Sequence, residues 1–350
     1  MSHKTPILLI GATGYVGGSV LSRLLSHPSK DTFDITVLVR SEEKAKKLES
    51  FGVKTVVGSY KDLALAEKLA EDAHVLFSLA DADHIESTNA FLRGLRKRHA
   101  TLGDLPIAIH VSGTGLLTYG DANTKGLAVS EKIYRDDDPD DIEKSFPPDA
   151  FHREIDLAYV HADKEGYVKS YIILPSTIWG IAKNQLVDAG IANPQSIQIP
   201  ALIRAAVARK QAGVVGKGVS LWPDVNIEEQ ADFIVLLYDA IVTNPEKVGH
   251  GRDGFYFGEN GEHSWYDISK AIGQALVKLG VSESDEPTPF TTEELVKYFG
   301  SEAIGNYFGT NSRARANHSR SLGWDPKLGP QDMLNSIYPE VAATLKQQKE

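Results

Sequence analysis

Four features of this chain have the residue types and spacing to do chemistry. Gly11-Ala12-Thr13-Gly14-Tyr15-Val16-Gly17 lies between an apolar run and a helical pattern. In such a turn Gly11 permits the tight bend, Gly14 lets backbone approach a pyrophosphate, and Gly17 allows close packing of helix on strand. Thr13, Tyr15 and Val16 fall at the free amides of a helix N-terminus, which attract a diphosphate. Further on, Val39-Arg40-Ser41 lacks the carboxylate that usually binds ribose hydroxyls at the end of a second strand. Arg40, with Ser41 and Lys44 as further donors, points instead to a 2′-phosphate, and so to NADP. Ser112 closes an apolar strand, where its hydroxyl would face a substrate carbonyl or else cap its own S-G-T-G loop. His152 carries an imidazole able to exchange a proton near neutrality. Asp156, one helical turn on, could orient that ring; in the competing reading Arg153 and Asp156 form a surface ion pair. Tyr134 lies in an acidic stretch with no evident anchor.

These residues need a scaffold, and the first half of the chain supplies its pattern. Apolar runs at 6–10 (PILLI), 35–39 (ITVLV), 53–57, 74–79 (HVLFSL), 107–111 (IAIHV) and 171–174 (YIIL) alternate with helical spacing at 16–25, 41–52, 62–73, 85–100 and 151–166. Alternation of this length predicts an α/β Rossmann fold, a doubly wound parallel sheet with right-handed crossovers. Residues 119–148 are polar and acidic and read as a long solvated loop. Beyond Gly180 the pattern turns helical, near 198–211, 228–243, 264–280 and 291–299, with one strand at 254–257. Ser264 and Asp267 have the spacing of a capping box. The expected division is a Rossmann domain over 1–180, its sheet open to completion by later strands, and a smaller, mainly helical substrate-binding domain over 181–350. Ligands of such sheets bind at the C-terminal strand edge.

Composition narrows the function. The net charge of −10 leaves no basic excess for a nucleic acid. The absence of cysteine removes disulfides and thiolate metal sites, and no histidine pair has metal-binding spacing, so no metal is expected. No apolar stretch approaches the roughly 18 residues of a membrane span. A cytoplasmic protein acting on a small molecule is the expectation, and nothing marks an oligomer.

Several motifs, in order, resemble the extended and atypical short-chain dehydrogenase/reductases, a group that includes sugar-nucleotide epimerases, carbonyl reductases and NmrA-like proteins. They are GATGYVGG at the start; Gly58-Ser59-Tyr60; Leu79-Ala80-Asp81; His110-Val111-Ser112-Gly113; Leu174-Pro175-Ser176-Thr177-Ile178-Trp179-Gly180; Val225-Asn226-Ile227-Glu228; and Leu322-Gly323-Trp324-Asp325-Pro326. The resemblance implies that Ser59, Leu79, Ala80, Asp81, Pro175 and Ile178 line the cofactor, and that Ser112 is the active-site serine. It also implies a Tyr-x-x-x-Lys pair, the lysine near His152 and the tyrosine near Pro148. No such pair occurs between Ser112 and Pro175. The expected activity is therefore an NADPH-dependent reductase of a small carbonyl or related unsaturated compound, working without that dyad. The alternatives are an NmrA-like NADP sensor without turnover and a sugar-nucleotide epimerase or dehydratase.

Overall fold

The computed structural model describes residues 4–121 and 123–347. Its main sheet has seven parallel strands: β1 (Thr5–Ile10), β2 (Phe33–Val39), β3 (Lys54–Val57), β4 (Val75–Ser78), β5 (Ile107–Val111), β6 (Lys169–Pro175) and β7 (Phe255–Gly258). Their order is β7-β6-β5-β4-β1-β2-β3. The central strands β1, β4 and β6 are almost wholly buried, as unbroken apolar runs must be when helices cover both faces. The edge strand β3 instead carries Lys54, which pairs in register with Thr36, and its charge discourages pairing with another chain.

The crossover helices are α1 (Tyr15–Ser26), α2 (Glu42–Glu49), α3 (Leu63–Glu71), α4 (Ile85–Leu102) and α5 (Arg153–Lys164). Local chemistry starts and stops them. Ser41 and Asp62 cap α2 and α3 by accepting from the amides of Lys44 and Leu65, and α4 ends on Gly103 at a φ of +70°. Because the chain winds one way from β1 to β3 and the other from β4 to β7, the connections that leave the paired C-terminal ends of β1 and β4 run in opposite directions and leave a crevice between them. That gap is where a ligand fits.

The second half is more interwoven with the sheet than its composition implies. The predicted strand near 254–257 is β7, the seventh strand of the main sheet. Helix α6 (Gln198–Arg209) belongs elsewhere, but α7 (Ile227–Thr243) lies beside α1, held by Arg23 to Glu228 at 2.5 Å and Asp232 at 2.9 Å. A second sheet, of Thr177–Trp179, Leu221–Asn226 and Glu262–Ser264, has no counterpart among the predicted strands. Its middle strand, LWPDVN, hides from periodicity because it buries a polar residue. The Asp224 carboxylate accepts from Trp179 Nε1 at 2.9 Å and lies 3.2 Å from His263 Nδ1. Helix α8 (Trp265–Lys278) opens with the expected Ser264–Asp267 capping box. With α6 and α9 (Pro330–Gln347) it encloses a separate core of Ile199, Leu202, Ile272, Met333 and Ile337.

The stretch 119–148 is not a plain loop. It holds a short strand, Tyr134–Arg135, paired with Ala314–Arg315, and a helix, Pro139–Ser145, capped by Asp138. The acidic run is not all solvated either. Asp136 is buried and accepts from the amides of Phe257, His318 and Ser319 at 2.9, 2.7 and 3.2 Å.

Candidate active site

The glycine turn shows three different reasons for glycine. A Cβ on Gly11, whose φ is +99°, would lie 2.7 Å from the Leu79 carbonyl oxygen, and one on Gly17 would lie 2.2 Å from the Gly11 carbonyl. These two shape the backbone. A Cβ on Gly14 would meet one protein atom within 4 Å, the Gly11 oxygen at a tight 3.2 Å, so apart from its own turn Gly14 faces the cleft. Helix α1 begins there without any side-chain cap, which leaves its first-turn amides for an anion. The turn therefore fits a diphosphate. The Tyr15 side chain serves the fold instead. Its buried hydroxyl donates to the Gly180 carbonyl at 2.5 Å, and burial holds the phenol well above its ordinary range.

A loop crosses in front of this turn. Asn193 donates its amide to the Thr13 carbonyl at 3.1 Å, and Lys44 Nζ donates to the Ile191 carbonyl at 2.7 Å. Ser41 Oγ is the α2 cap, and Ser59 Oγ accepts from Lys61 N at 3.2 Å. Lys44 thus spends one of its ammonium donors on the protein, whereas Ser41 and Ser59 accept in these bonds and keep their O–H groups free to donate. Arg40 is exposed and forms no ion pair among the described residues. Its charge acts on Tyr60, whose hydroxyl donates to Asp81 at 3.0 Å; burial and Asp81 push that phenol up, and Arg40 opposes them.

A cleft of about 520 Å³ opens at the C-terminal strand edge. Gly14, Tyr15, Val16, Leu79, Ala80 and Asp81 line it together with Ser112, His152, Pro175 and Ile178, the last packed beside Tyr15 and Val16. Gly11, Thr13 and Gly17 stand behind the turn, and Arg40, Ser41, Lys44 and Ser59 lie outside this cleft. Tyr134 lies elsewhere, its ring against Phe146.

The chemistry around Ser112 departs from expectation. His152 takes a left-handed conformation, φ +67°, just before α5. Its Nδ1 meets Asp83, not Asp156, at 2.7 Å, and its Nε2 faces Gly113. Asp156 points inward, is fully buried and lies against Ser112, yet its two oxygens and the Ser112 hydroxyl lack a hydrogen bond of proper geometry. Burial raises the Asp156 carboxyl to about 6, with Ser112, His152 and Arg153 working against that rise. Neither does Arg153 pair with Asp156 across the surface: it too is buried, its guanidinium 5.7 Å from the Phe255 ring. Behind them His110 stacks on Tyr159 at 4.8 Å, and burial drives its imidazole down to about 3.

Sequence reasoning did not single out Asp83, Tyr307 or Trp222. Asp83 is one more polar residue in a loop, and the other two come from distant segments that only the tertiary fold brings to the cleft. Gly115 admits Tyr307, since a Cβ there would lie 2.7 Å from the Tyr307 hydroxyl. Among the described residues, no lysine lines the cleft, no helix is long and apolar enough to cross a membrane, and no cluster of His, Asp and Glu is placed to hold a metal ion.

Solved proteins share this fold. The UDP-glucose 4-epimerase of Thermotoga maritima, solved with UDP-glucose, superposes with a TM-score of 0.64 at 13% identity, covering 97% of this chain and 100% of that one. The chain has the Rossmann-type fold of this epimerase. The UDP-glucuronic acid 4-epimerase of Bacillus cereus, solved with UDP-glucuronic acid and NAD, gives 0.62 at 15% identity, again over 97% and 100%. Residues 3–93 match the NmrA-like family. The oxidase ucsJ of Acremonium sp. is 28% identical over 342 residues, 93% of each chain. The resemblance read from the motifs therefore holds, in the fold of the whole chain and in the N-terminal family match.

Proposed function

We propose that this chain is an NADPH-dependent oxidoreductase that reduces a small carbonyl compound without a tyrosine–lysine dyad. The observation that carries the reading is one cleft lined by an uncapped glycine turn together with Ser112 and His152. The NAD held by a protein of the same fold and the name of the full-length oxidase relative support a nicotinamide dinucleotide and redox chemistry. Arg40 supports the phosphorylated form, since its guanidinium makes neither a hydrogen bond nor an ion pair among the described residues, while Lys44 already donates to the Ile191 carbonyl.

When bound, the reduced nicotinamide supplies the hydride. The protein's part is to receive the charge that develops on the substrate oxygen. Ser112 Oγ donates to that oxygen. His152 is held by Asp83 through Nδ1, which leaves Nε2 turned toward Gly113, from where the protonated imidazole delivers the proton that converts the alkoxide to the alcohol. Ser112→Ala should slow kcat/KM by roughly 2–4 kcal/mol of transition-state stabilisation, the scale of one lost oxyanion donor. His152→Ala should lower turnover as well.

A second reading is favoured by two facts: among the described residues no ammonium lines the cleft to lower the pKa of a phenol, and the Tyr15 hydroxyl is tied to Gly180. In that case the chain binds NADP and signals without turnover. NADPH oxidation across aldehydes, ketones, quinones and imines, with calorimetry for both dinucleotides, separates the two. NADPH should bind at least about tenfold more tightly than NADH, about 1.4 kcal/mol, and Arg40→Ala should erase the difference. Equal affinities in the wild type would refute the NADP assignment. Tight NADPH binding with no consumption by any substrate would leave the sensor.

A further inference from the structure

Beyond the cofactor turn and the Leu79–Ala82 loop the cleft's lining is uncharged, with aromatic rings making up one part of it and Asn193, Gln195, Ser196 and Gln198 another. None of the described lining residues there is Lys, Arg, Asp or Glu; His152 and Tyr307 are the titratable ones. Two carboxylates stand behind the wall: Asp83, engaged by His152, and Asp156, buried against Ser112. A substrate diphosphate brought here would give up its water with no cation to replace it, at a cost of several kcal/mol per charge.

The rings form one continuous surface. Phe151 lies 3.7 Å from the His152 ring, centroid to centroid, and meets Tyr307 edge-on at 6.0 Å; Tyr307 meets Trp222 edge-on at 5.1 Å. Phe151 is 49% exposed, an unusual state for a large apolar ring held at the mouth of a cleft. Trp222 is buried and fixed, its Nε1 donating to the Thr310 carbonyl at 2.8 Å. Gly115 keeps the wall in place, because a Cβ there would lie 2.9 Å from the Phe151 ring as well as against Tyr307. Edge and face contacts among such rings favour another ring over an aliphatic group of equal size.

We infer that this cleft takes a neutral aromatic carbonyl compound and rejects nucleotide sugars, with Phe151 and Tyr307 selecting the ring. The inference rests on the oxidoreductase reading for the word carbonyl, but binding tests it without turnover. Calorimetry on the full chain saturated with NADP⁺ would compare acetophenone, 1-cyclohexylethanone and UDP-glucose. Acetophenone should bind about tenfold more tightly than its cyclohexyl analogue, although the latter is the more apolar. UDP-glucose should give no saturable heat at millimolar concentration. Phe151→Leu, which keeps bulk and loses the ring, should bring the two ketones to within about twofold while NADP⁺ affinity stays the same. Equal affinity for the two ketones in the wild type, or UDP-glucose binding as well as acetophenone, would overturn the inference. Acetophenone bound with the expected preference but never reduced upholds it and counts only against the oxidoreductase reading.

Discussion

Asp156 is the residue at which burial and charge are most at odds. It is fully buried, lies against Ser112, and faces His152 and Arg153 of its own helix and Asp83 of the loop after β4. Burial lifts its carboxyl from 3.8 to about 6. A carboxyl raised in the folded state ionises first in the unfolded chain. Stability from this group is therefore complete below about pH 4 and is lost as pH rises through 6. At about 1.4 kcal/mol per pH unit the loss is on the order of 3 kcal/mol. His110 runs the other way. Its imidazole is depressed to about 3 by burial, so its contribution is present above pH 6.5 and is lost on acidification. Between pH 4 and 6 the two slopes oppose each other. Asp156→Asn keeps the shape and removes one of them. The variant should exceed wild type by about 1–3 kcal/mol in urea melts at pH 7.5, with the gap closing by pH 4. A constant offset at both pH values would mean that the carboxyl is not raised.

At the scale of elements, the glycine turn separates folding from binding within seven residues. Gly17→Val would drive a side chain into the Gly11 carbonyl, 2.2 Å from its Cβ, so it should destabilise by about 1–3 kcal/mol or prevent folding. Gly14→Val puts its Cβ a tight 3.2 Å from the Gly11 oxygen and should keep a wild-type circular dichroism spectrum with a smaller loss of stability than Gly17→Val, while NADPH binding falls below detection. Normal binding by folded Gly14→Val would place the diphosphate elsewhere. This turn was legible in the sequence because its spacing is local, and so were the strands whose apolar runs are buried on both faces. The misses share a physical cause: the deciding contact is remote. Asp138 and Pro139 could have marked the helix at Pro139–Ser145, but seven residues are too few for periodicity to register. Helix α9 carries Pro339 in its interior, which argues against a helix, and its stripe of Met333, Ile337 and Val341 is clear only beside α6 and α8. Asp156 stands one turn from His152 on the helix, as the spacing requires, yet it points inward and Asp83 takes the imidazole.

Across the whole molecule, one buried carboxylate links the pieces that set the cleft's outer wall. Asp136 follows the short strand Tyr134–Arg135, and its oxygens accept from Phe257 in β7 and from His318 and Ser319 in the Asn317–Ser321 helix. The same returning segment pairs Ala314–Arg315 with Tyr134–Arg135, places Ser312 Oγ on the Thr114 carbonyl at 2.7 Å, and carries Tyr307 to the cleft. Removing the carboxylate strands three amides in the interior, two of them bound to a single oxygen. Each unsatisfied buried donor costs about 1–3 kcal/mol, and some of that is recovered when water enters. Asp136→Ala should therefore lose about 2–5 kcal/mol in chemical denaturation. Asp136→Asn should lose less, because its carbonyl still accepts while its amide nitrogen faces donors. The damage should also reach the cleft: in the folded Asp136→Ala protein, affinity for an aromatic ketone should fall several-fold while NADPH affinity holds, since the glycine turn lies on the far side of the sheet's switch point. Equal losses of both ligands would show that Asp136 supports the fold as a whole and has no particular hold on the wall that Tyr307 completes.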